Sequence, residues 1–387
     1  MSYYEYNTTQ RYVQYPGAFQ ELMRYACLSG KRILILLGAG PANAWIRERI
    51  QQGASVPVRA GMNEELLRRN VRYARYAAMA QRLEGLRGAI SYDFYDINGL
   101  HVCENNVRAL ADYVQEHGYD TVVGVGGGRG MDLARAITRF ADVKVLLAPT
   151  LAATNASIST LSVIYSEDGS RVCDYWRMDN APELVLVDTD IIRGNSPQIL
   201  AAGIGDIMAT YHEALVNVNL SQSRDAFSAL SYEGVELAIR IMMRDAPKAL
   251  KALRTEDHGA EFESVVSMIM YNCGPLWSIC TTGLAHVLDE VFLYFEQAHC
   301  VSHGLRVGFA TIPMLKYAGW GSDALAQYMA FCKAVGIPTS LEELRLEGVS
   351  RKQWTNAAQS TVMARGALQG LPFDIDFEAL LECVLQH

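Results

Sequence analysis

No two of the eight cysteines in this 387-residue chain form a Cys-x-x-Cys pair. That absence excludes a zinc ribbon and a dithiol redox motif, and points to reduced thiols in a cytoplasm. Basic charge is also in short supply. With 34 Lys and Arg against 42 Asp and Glu, the formal net charge is −8, which excludes nucleic acid as a general partner. The opening residues Met1-Ser-Tyr-Tyr-Glu carry no apolar run, so no signal peptide is expected there. From Ser264 to Leu288 there is no Asp, Glu, Lys or Arg, and the run approaches the length of a membrane span. Asn272, Gly274, Pro275 and several hydroxyl residues interrupt it, however. It reads as a helix buried inside a large domain, with no membrane partner. Internal repeats and low-complexity segments are missing, and so is the G-x-G-x-x-G dinucleotide fingerprint.

What is present is apolar and ordered. Half of the residues are hydrophobic, enough for large cores, and the length suits two domains. Short apolar runs at 32–37, 94–95, 122–125, 143–150 and 184–188 read as strands. Helical periodicity lies between them at 42–51, 62–86 and 105–116. This alternation predicts a parallel sheet with helices on both faces. After residue 190 strand-like runs nearly vanish and helical patterns follow one another: 197–217, 224–254, 258–273, 276–295, 303–318, 322–335, 350–366 and 376–386. The expected organisation is an α/β domain over residues 1–189 and an all-helical domain over 190–387.

Four stretches could carry chemistry. The first is Asp120-Thr-Val-Val-Gly-Val-Gly-Gly-Gly-Arg-Gly-Met-Asp132. A buried strand there runs into Gly126, Gly127 and Gly128, and a helix pattern follows at once. Glycines let a backbone approach a ligand closely, and the following helix offers free N–H groups to a phosphate. The second is Asp206, at the start of an apolar helix after Gly205; a first-turn carboxylate favoured by the helix dipole would look the same locally. The third holds His286, with a carboxylate one turn later, and His303, ahead of another apolar helix. One carboxylate and two imidazoles could hold a divalent ion and leave a coordination position open; His299 is an alternative to His303. The fourth runs from Val145 to Tyr165, a strand leading into small and hydroxyl residues that suit the wall of a flat, partly polar ligand site.

Together these stretches resemble the glycerol dehydrogenase branch of the iron-containing (group III) alcohol dehydrogenases. Gly126-Gly-Gly-Arg-Gly-Met-Asp132 is similar to that family's G-G-G-x-x-x-D signature. Ala-Pro-Thr150-Leu-Ala-Ala-Thr-Asn155 through Leu161-Ser-Val-Ile-Tyr165 is similar to its nicotinamide-side segment, and Ala-Ala-Gly-Ile-Gly-Asp206 to its metal-carboxylate motif. His286 and His303 stand where the family keeps two metal imidazoles. The resemblance runs from about Pro16 to His303. It implies a dehydroquinate-synthase-like fold: the α/β domain with its parallel sheet, then the helical domain. It implies NAD, with the diphosphate at Gly126, Gly127, Gly128 and Arg129 and with Asp132 in the same motif. Thr150, Ala153, Ser159, Leu161, Val163 and Tyr165 would line the nicotinamide end. Asp206, His286 and His303 would hold the metal, zinc in this branch.

Three departures from the family pattern bear on function. Asn155 replaces an Asp that touches substrate hydroxyls in the family's polyol enzymes. An amide donates as well as accepts and carries no charge. Ala39 stands where the family often has an Asp on the adenosine ribose, which leaves NADP open beside NAD. Iron-type members have a further histidine one turn after the first; here that position is Asp289, which favours a three-ligand, zinc-like site or brings Asp289 into it. The residues between about 51 and 92 also look longer than is usual. The resemblance thus implies a metal- and NAD(P)-dependent dehydrogenase acting on the CH–OH group of a small polyol or hydroxy compound, with Asp206, His286, His303 and Asn155 as catalytic residues. Its alternatives are a 2-hydroxy-acid (2-oxo-acid) dehydrogenase on the same scaffold, motivated by Asn155, and a lyase resembling dehydroquinate synthase. The expected partners are a small alcohol or carbonyl compound and further copies of the chain.

Overall fold

The computed structural model describes residues 8–55, 85, 89–253, 259–276, 280, 283–363, 366–368 and 371–387. The helix expected over 62–86, and most of the extra length between 51 and 92, lie outside the described residues. The chain forms two compact units. One comprises residues 8–151 and 156–195; the other comprises 152–155 and 196–387.

The first unit is built on a six-stranded sheet. Its strands are β1 (Arg11–Tyr15), β2 (Arg32–Gly38), β3 (Ser91–Asp96), β4 (Thr121–Gly126), β5 (Lys144–Pro149) and β8 (Leu184–Asp188). They lie in the order β1-β8-β5-β4-β2-β3, and every pairing is parallel. The continuous apolar runs explain the arrangement, because a parallel sheet is covered on both faces. Alternate residues feed two cores. Leu34, Leu36, Val122, Val145 and Leu147 pack with Val107, Leu110, Ala111 and Val114 of the Glu104–Glu116 helix. Ile33, Ile35, Leu37, Val123, Val125, Leu146 and Ala148 pack with Phe19, Ile46 and Ile50 on the other face.

Two features of this unit are absent from the expected strands. One is β1, a half-buried edge strand that pairs with β8 from across the whole unit. The other is a separate antiparallel hairpin, β6 (Leu161–Tyr165) with β7 (Val172–Arg177). Both are short and mixed in polarity, so a local pattern does not announce them.

The second unit is helical. Its long helix, Pro197–Leu220, is buried at every residue from Leu200 to Val218. The helix His303–Tyr317 lies along it at backbone contact. A Cβ on Gly304 would fall 2.0 Å from the Ala202 carbonyl oxygen, and one on Gly205 would fall 2.2 Å from that of Gly304. Glycine is required at both positions, and the close approach sets the start of the second helix beside Asp206. The single helix expected through 264–288 is not found. The helix Ala260–Ser267 widens into a π-turn at Met268–Asn272, and a new helix, Leu284–Phe292, begins after Gly283. The helix pattern expected over 276–295 is shortened for the same reason, because Gly283 in a non-helical conformation opens it. No described helix is long and apolar enough to cross a membrane.

Candidate active site

In the helical unit, three of the residues singled out in the sequence come together. Asp206, His286 and His303 each offer one ligand atom, and those atoms all lie within 4.8 Å of one another. His286 Nε2 is 3.3 Å and His303 Nε2 is 3.6 Å from Asp206 Oδ1. Asp206 is 3% exposed. Its other oxygen, Oδ2, accepts the backbone N–H of Asn155 at 3.3 Å, so Asn155 sits against the same carboxylate. The Asn155 amide Nδ2 stands 3.9 Å from Cys273 Sγ.

Both imidazoles are held from behind by carboxylates. His286 Nδ1 is 2.7 Å from Glu213 Oε2, and the His286 backbone N–H donates to Glu213 Oε1 at 2.8 Å. His303 Nδ1 is 2.8 Å from Asp289 Oδ2, while Arg306 Nε donates to Asp289 Oδ1 at 2.6 Å. Asp289 therefore orients His303 and does not join the ligand set. His299 stays outside as well: exposed, its Nε2 bonds to the Leu293 carbonyl. Glu213 was missed from sequence. The signal was its place on the Asp206 helix, seven residues on, which is two turns along the same face.

The electrostatics suit a cation. Burial alone would push the Asp206 carboxyl up, but hydrogen bonding from His286 and the nearby His303 outweigh it and hold it below the ordinary carboxylate range. Burial opposes charge on His286, yet the attraction of Glu213 and Asp206 raises its pKa well above the usual imidazole value. Burial would likewise raise Asp289, which His303 and Arg306 together hold low. Three carboxylates thus surround two imidazoles, and a divalent ion fits this donor set. The Nε2 atoms and Asp206 Oδ1 supply nitrogen and oxygen ligands, and the Nδ1 atoms are already bonded to carboxylates.

The sheet unit carries the other candidate residues. The strand order reverses between β2 and β4, where Gly38 pairs with Gly126. Ligands of open α/β sheets bind beyond the carboxyl ends of the strands at such a switch point. Gly126 is needed there, since a Cβ would sit 2.8 Å from the Gly38 carbonyl oxygen. Gly127 caps the Gly128–Ala136 helix in an extended conformation with no side-chain cap, and the first N–H groups of a helix have no partner within it. Arg129 is exposed, with its guanidinium carbon 5.1 Å from the centre of the Tyr165 ring. Thr150 is buried at the end of β5, its N–H donating to Gly126 O at 2.9 Å. Ser159 is buried and caps the start of β6, accepting from Leu161 N at 2.9 Å. Leu161, Val163 and Tyr165 line the half-open face of that strand; Ser162 and Ile164 point into the core. Ala153 is half-buried and belongs, with Asn155, to the helical unit. Ala39 follows β2 directly, its N–H donating to Asn43 Oδ1 at 2.8 Å.

Asp132, expected in the cofactor motif, is engaged within the protein. Its carboxylate pairs with Arg135 Nη1 at 2.8 Å and accepts from Val163 N at 3.4 Å. Burial pushes this carboxyl up to about 6, against the pull of Arg135. Arg135, 1% exposed, also donates to the carbonyls of Leu161, at 2.6 Å, and Ala156. The pair ties the glycine-turn helix to the 156–163 segment, a role that sequence pattern did not reveal.

Comparison with known proteins finds oxidoreductases. The model of the family described as "Iron-containing alcohol dehydrogenase" matches residues 72–189. A glycerol dehydrogenase of Pseudomonas putida is 29% identical over 261 residues, 67% of this chain and 71% of that one. A glycerol dehydrogenase of Citrobacter freundii is 27% identical over 284 residues, 72% of this chain and 77% of that one. Among solved structures, a probable glycerol dehydrogenase from Sinorhizobium meliloti 1021 superposes with a TM-score of 0.82 at 22% identity, covering 100% of this chain and 98% of that one. This last likeness is one of fold.

Proposed function

We propose, from the premise that this chain belongs to the iron-containing alcohol dehydrogenase family, that it is a metal-dependent, NAD-linked alcohol dehydrogenase whose substrate is a small polyol or related alcohol. One observation carries the reading: Asp206, His286 and His303 converge within 4.8 Å, each imidazole held at Nδ1 by a buried carboxylate. Three protein ligands leave a position open for a substrate oxygen, as catalytic metal sites do. We propose zinc as the ion, since an oxygen and two imidazole nitrogens without a further histidine are a zinc-like set.

A divalent ion held there would supply Lewis acidity toward the substrate hydroxyl, and NAD, when bound, would supply the hydride acceptor. The protein's part is binding and orientation. Asp206 provides the anionic ligand, kept ionised by its hydrogen-bond partners. His286 and His303 provide neutral nitrogen ligands. Asn155, fixed by its backbone bond to Asp206, presents an amide that can accept from one substrate hydroxyl and donate to another. Gly126, Gly127, Gly128 and Arg129 receive the diphosphate, while Thr150, Ala153, Ser159, Leu161, Val163 and Tyr165 receive the nicotinamide end. No protein nucleophile is required.

The charged alternatives fit less well. A 2-hydroxy acid or a sugar phosphate would gain from a cationic side chain for its anionic group, beyond what the ion supplies. Arg306, on the His303 helix, is 5% exposed and engaged by Asp289 and the Val301 carbonyl. A neutral alcohol needs no such partner. The test is an absorbance assay of the NADH band with glycerol, 1,2-propanediol and small 2-oxo acids side by side, run with NAD and with NADP. Metal content is measured on the same samples. Asp206→Ala should lose activity and metal together. Full activity in metal-stripped protein would overturn the reading.

A further inference from the structure

We propose that Glu213 is a positioning residue for the metal: it fixes His286 as the tautomer with its proton on Nδ1 and its lone pair on Nε2. The inference rests on the reading of Asp206, His286 and His303 as a metal site.

Glu213 is fully buried on the Pro197–Leu220 helix, seven residues after Asp206, so both side chains leave the same helix face. Its carboxylate meets two donors of one residue. Oε1 takes the His286 backbone N–H at 2.8 Å, and Oε2 faces His286 Nδ1 at 2.7 Å. The backbone bond also fills one of the unpaired N–H groups in the first turn of the Leu284–Phe292 helix, where negative charge is favoured. Gly283 makes this approach feasible. A Cβ on it would press on Glu213 Cβ and Cγ at 3.1 Å and on Asn217 Oδ1 at 3.0 Å.

The donor count gives the consequence. Two N–H groups converge on Glu213, and only a carboxylate accepts at both of its atoms. A bond from Nδ1–H leaves Nε2 unprotonated, and Nε2 is the atom aimed at Asp206 Oδ1, 3.3 Å away. Glutamine has the same shape but one acceptor. With its oxygen on the backbone N–H, its NH2 faces Nδ1 and drives the proton to Nε2, into the ligand position. With the amide reversed, NH2 opposes the backbone N–H and the helix start is unpaired. The first arrangement removes the Nε2 lone pair, and the second keeps the tautomer but loosens the helix start that carries the ring; both weaken His286 as a ligand with Asp206, His286 and His303 all still in place. His303 is held less firmly. Its partner Asp289 is shared with Arg306, its contact is to the ring alone, and its side chain is 47% exposed. Glu213 is therefore the stronger of the two controls on the metal.

The experiment is a chelator competition for Zn2+ and Co2+ on wild type, Glu213→Gln and Glu213→Asp, with NAD binding measured alongside. Glu213→Gln should bind either ion about 10- to 100-fold more weakly, the usual cost of losing such an outer partner, with NAD affinity unchanged and an altered Co2+ absorption spectrum. Glu213→Asp, which restores two acceptor oxygens on a shorter stem, should recover part of the loss. Gln binding within twofold of wild type overturns the proposal. A second measurement needs no variant to fold: 15N shifts of the histidine rings in Zn2+-loaded wild type should show His286 protonated at Nδ1 and metal-bound at Nε2, and the opposite arrangement overturns it. Failure of wild type to bind either ion would instead sink the metal-site reading. Wild-type binding with an unaffected Gln variant removes only the role of Glu213.

Discussion

In the sheet unit the surface proposed to meet a ligand is backbone; in the helical unit it is side chain. The glycine turn needs no functional group beyond N–H, so it is made by leaving atoms out: Gly126 allows β4 to close on Gly38, and Gly127 leads into the Gly128–Ala136 helix. The proposed metal site needs three particular side chains, supplied by three helices and held by two more carboxylates. A backbone site is fixed by local conformation and by the pair that anchors it. A side-chain site is fixed by packing between distant segments, at the Gly205–Gly304 and Gly283–Glu213 contacts.

The largest effect that separates the two regions should come from Arg135. Its guanidinium is buried against Asp132 and the carbonyls of Leu161 and Ala156. Arg135→Met strands the Asp132 carboxylate in the interior, and breaking a buried pair from one side costs about 3–5 kcal/mol. Urea unfolding should show that loss. Adding Asp132→Leu should return much of it, because an apolar pair of similar volume needs no compensation. Metal affinity measured on the folded variant should stay at the wild-type value. If metal binding falls in parallel with stability, the two regions are not separable in the way their construction suggests.

The same contrast explains what could be read from the sequence. The strands at 32–37, 122–125, 143–150 and 184–188 were legible because each is a continuous apolar run, and the glycine turn because three adjacent glycines follow one of them. The converging trio Asp206, His286 and His303, the proposed ligands, was legible only as a combination, through family resemblance, since an acid or a histidine on an apolar helix is usually structural. Glu213 was marked only by its seven-residue spacing from Asp206, and Arg135 was not legible. A buried Glu on an apolar helix has no local signature, and Arg135 gains its role from carbonyls more than twenty residues away in sequence, which only the folded chain brings together. The strand β1 escaped for the same reason, since its partner is β8. Interruptions of the 264–288 run were read at Asn272, Gly274 and Pro275, but the fit of Gly283 against Glu213 and Asn217, where the next helix begins, is tertiary.

A smaller effect tests the turn directly. Gly126→Ala places a methyl 2.8 Å from the Gly38 carbonyl oxygen and 3.0 Å from its carbonyl carbon, both rigid backbone. The two strands must part at their carboxyl ends, an overpacking cost of about 1–3 kcal/mol. NAD binding, followed by quenching of protein fluorescence, should weaken strongly because the turn itself moves. Retention of wild-type NAD affinity together with wild-type stability would show that β4 does not need its close approach to β2.

Gly127→Ala should have the smallest effect on stability and is the sharpest on function. Gly127 has φ −82° and ψ −170°, an extended conformation open to any residue. A Cβ there would meet only Leu151 Cδ1 at 3.0 Å, the mobile end of a flexible side chain. Rotation of that leucine relieves the contact, so the change in unfolding free energy should stay below about 1 kcal/mol. The new methyl would project at the entrance to the Gly128–Ala136 helix, where the diphosphate is proposed to sit, so NAD binding should still weaken. Loss of affinity without loss of stability assigns Gly127 to ligand approach and not to folding. Wild-type affinity in this variant would move the diphosphate away from the glycine turn, and would leave the helical unit's side chains as the part of the site on which the functional proposal stands.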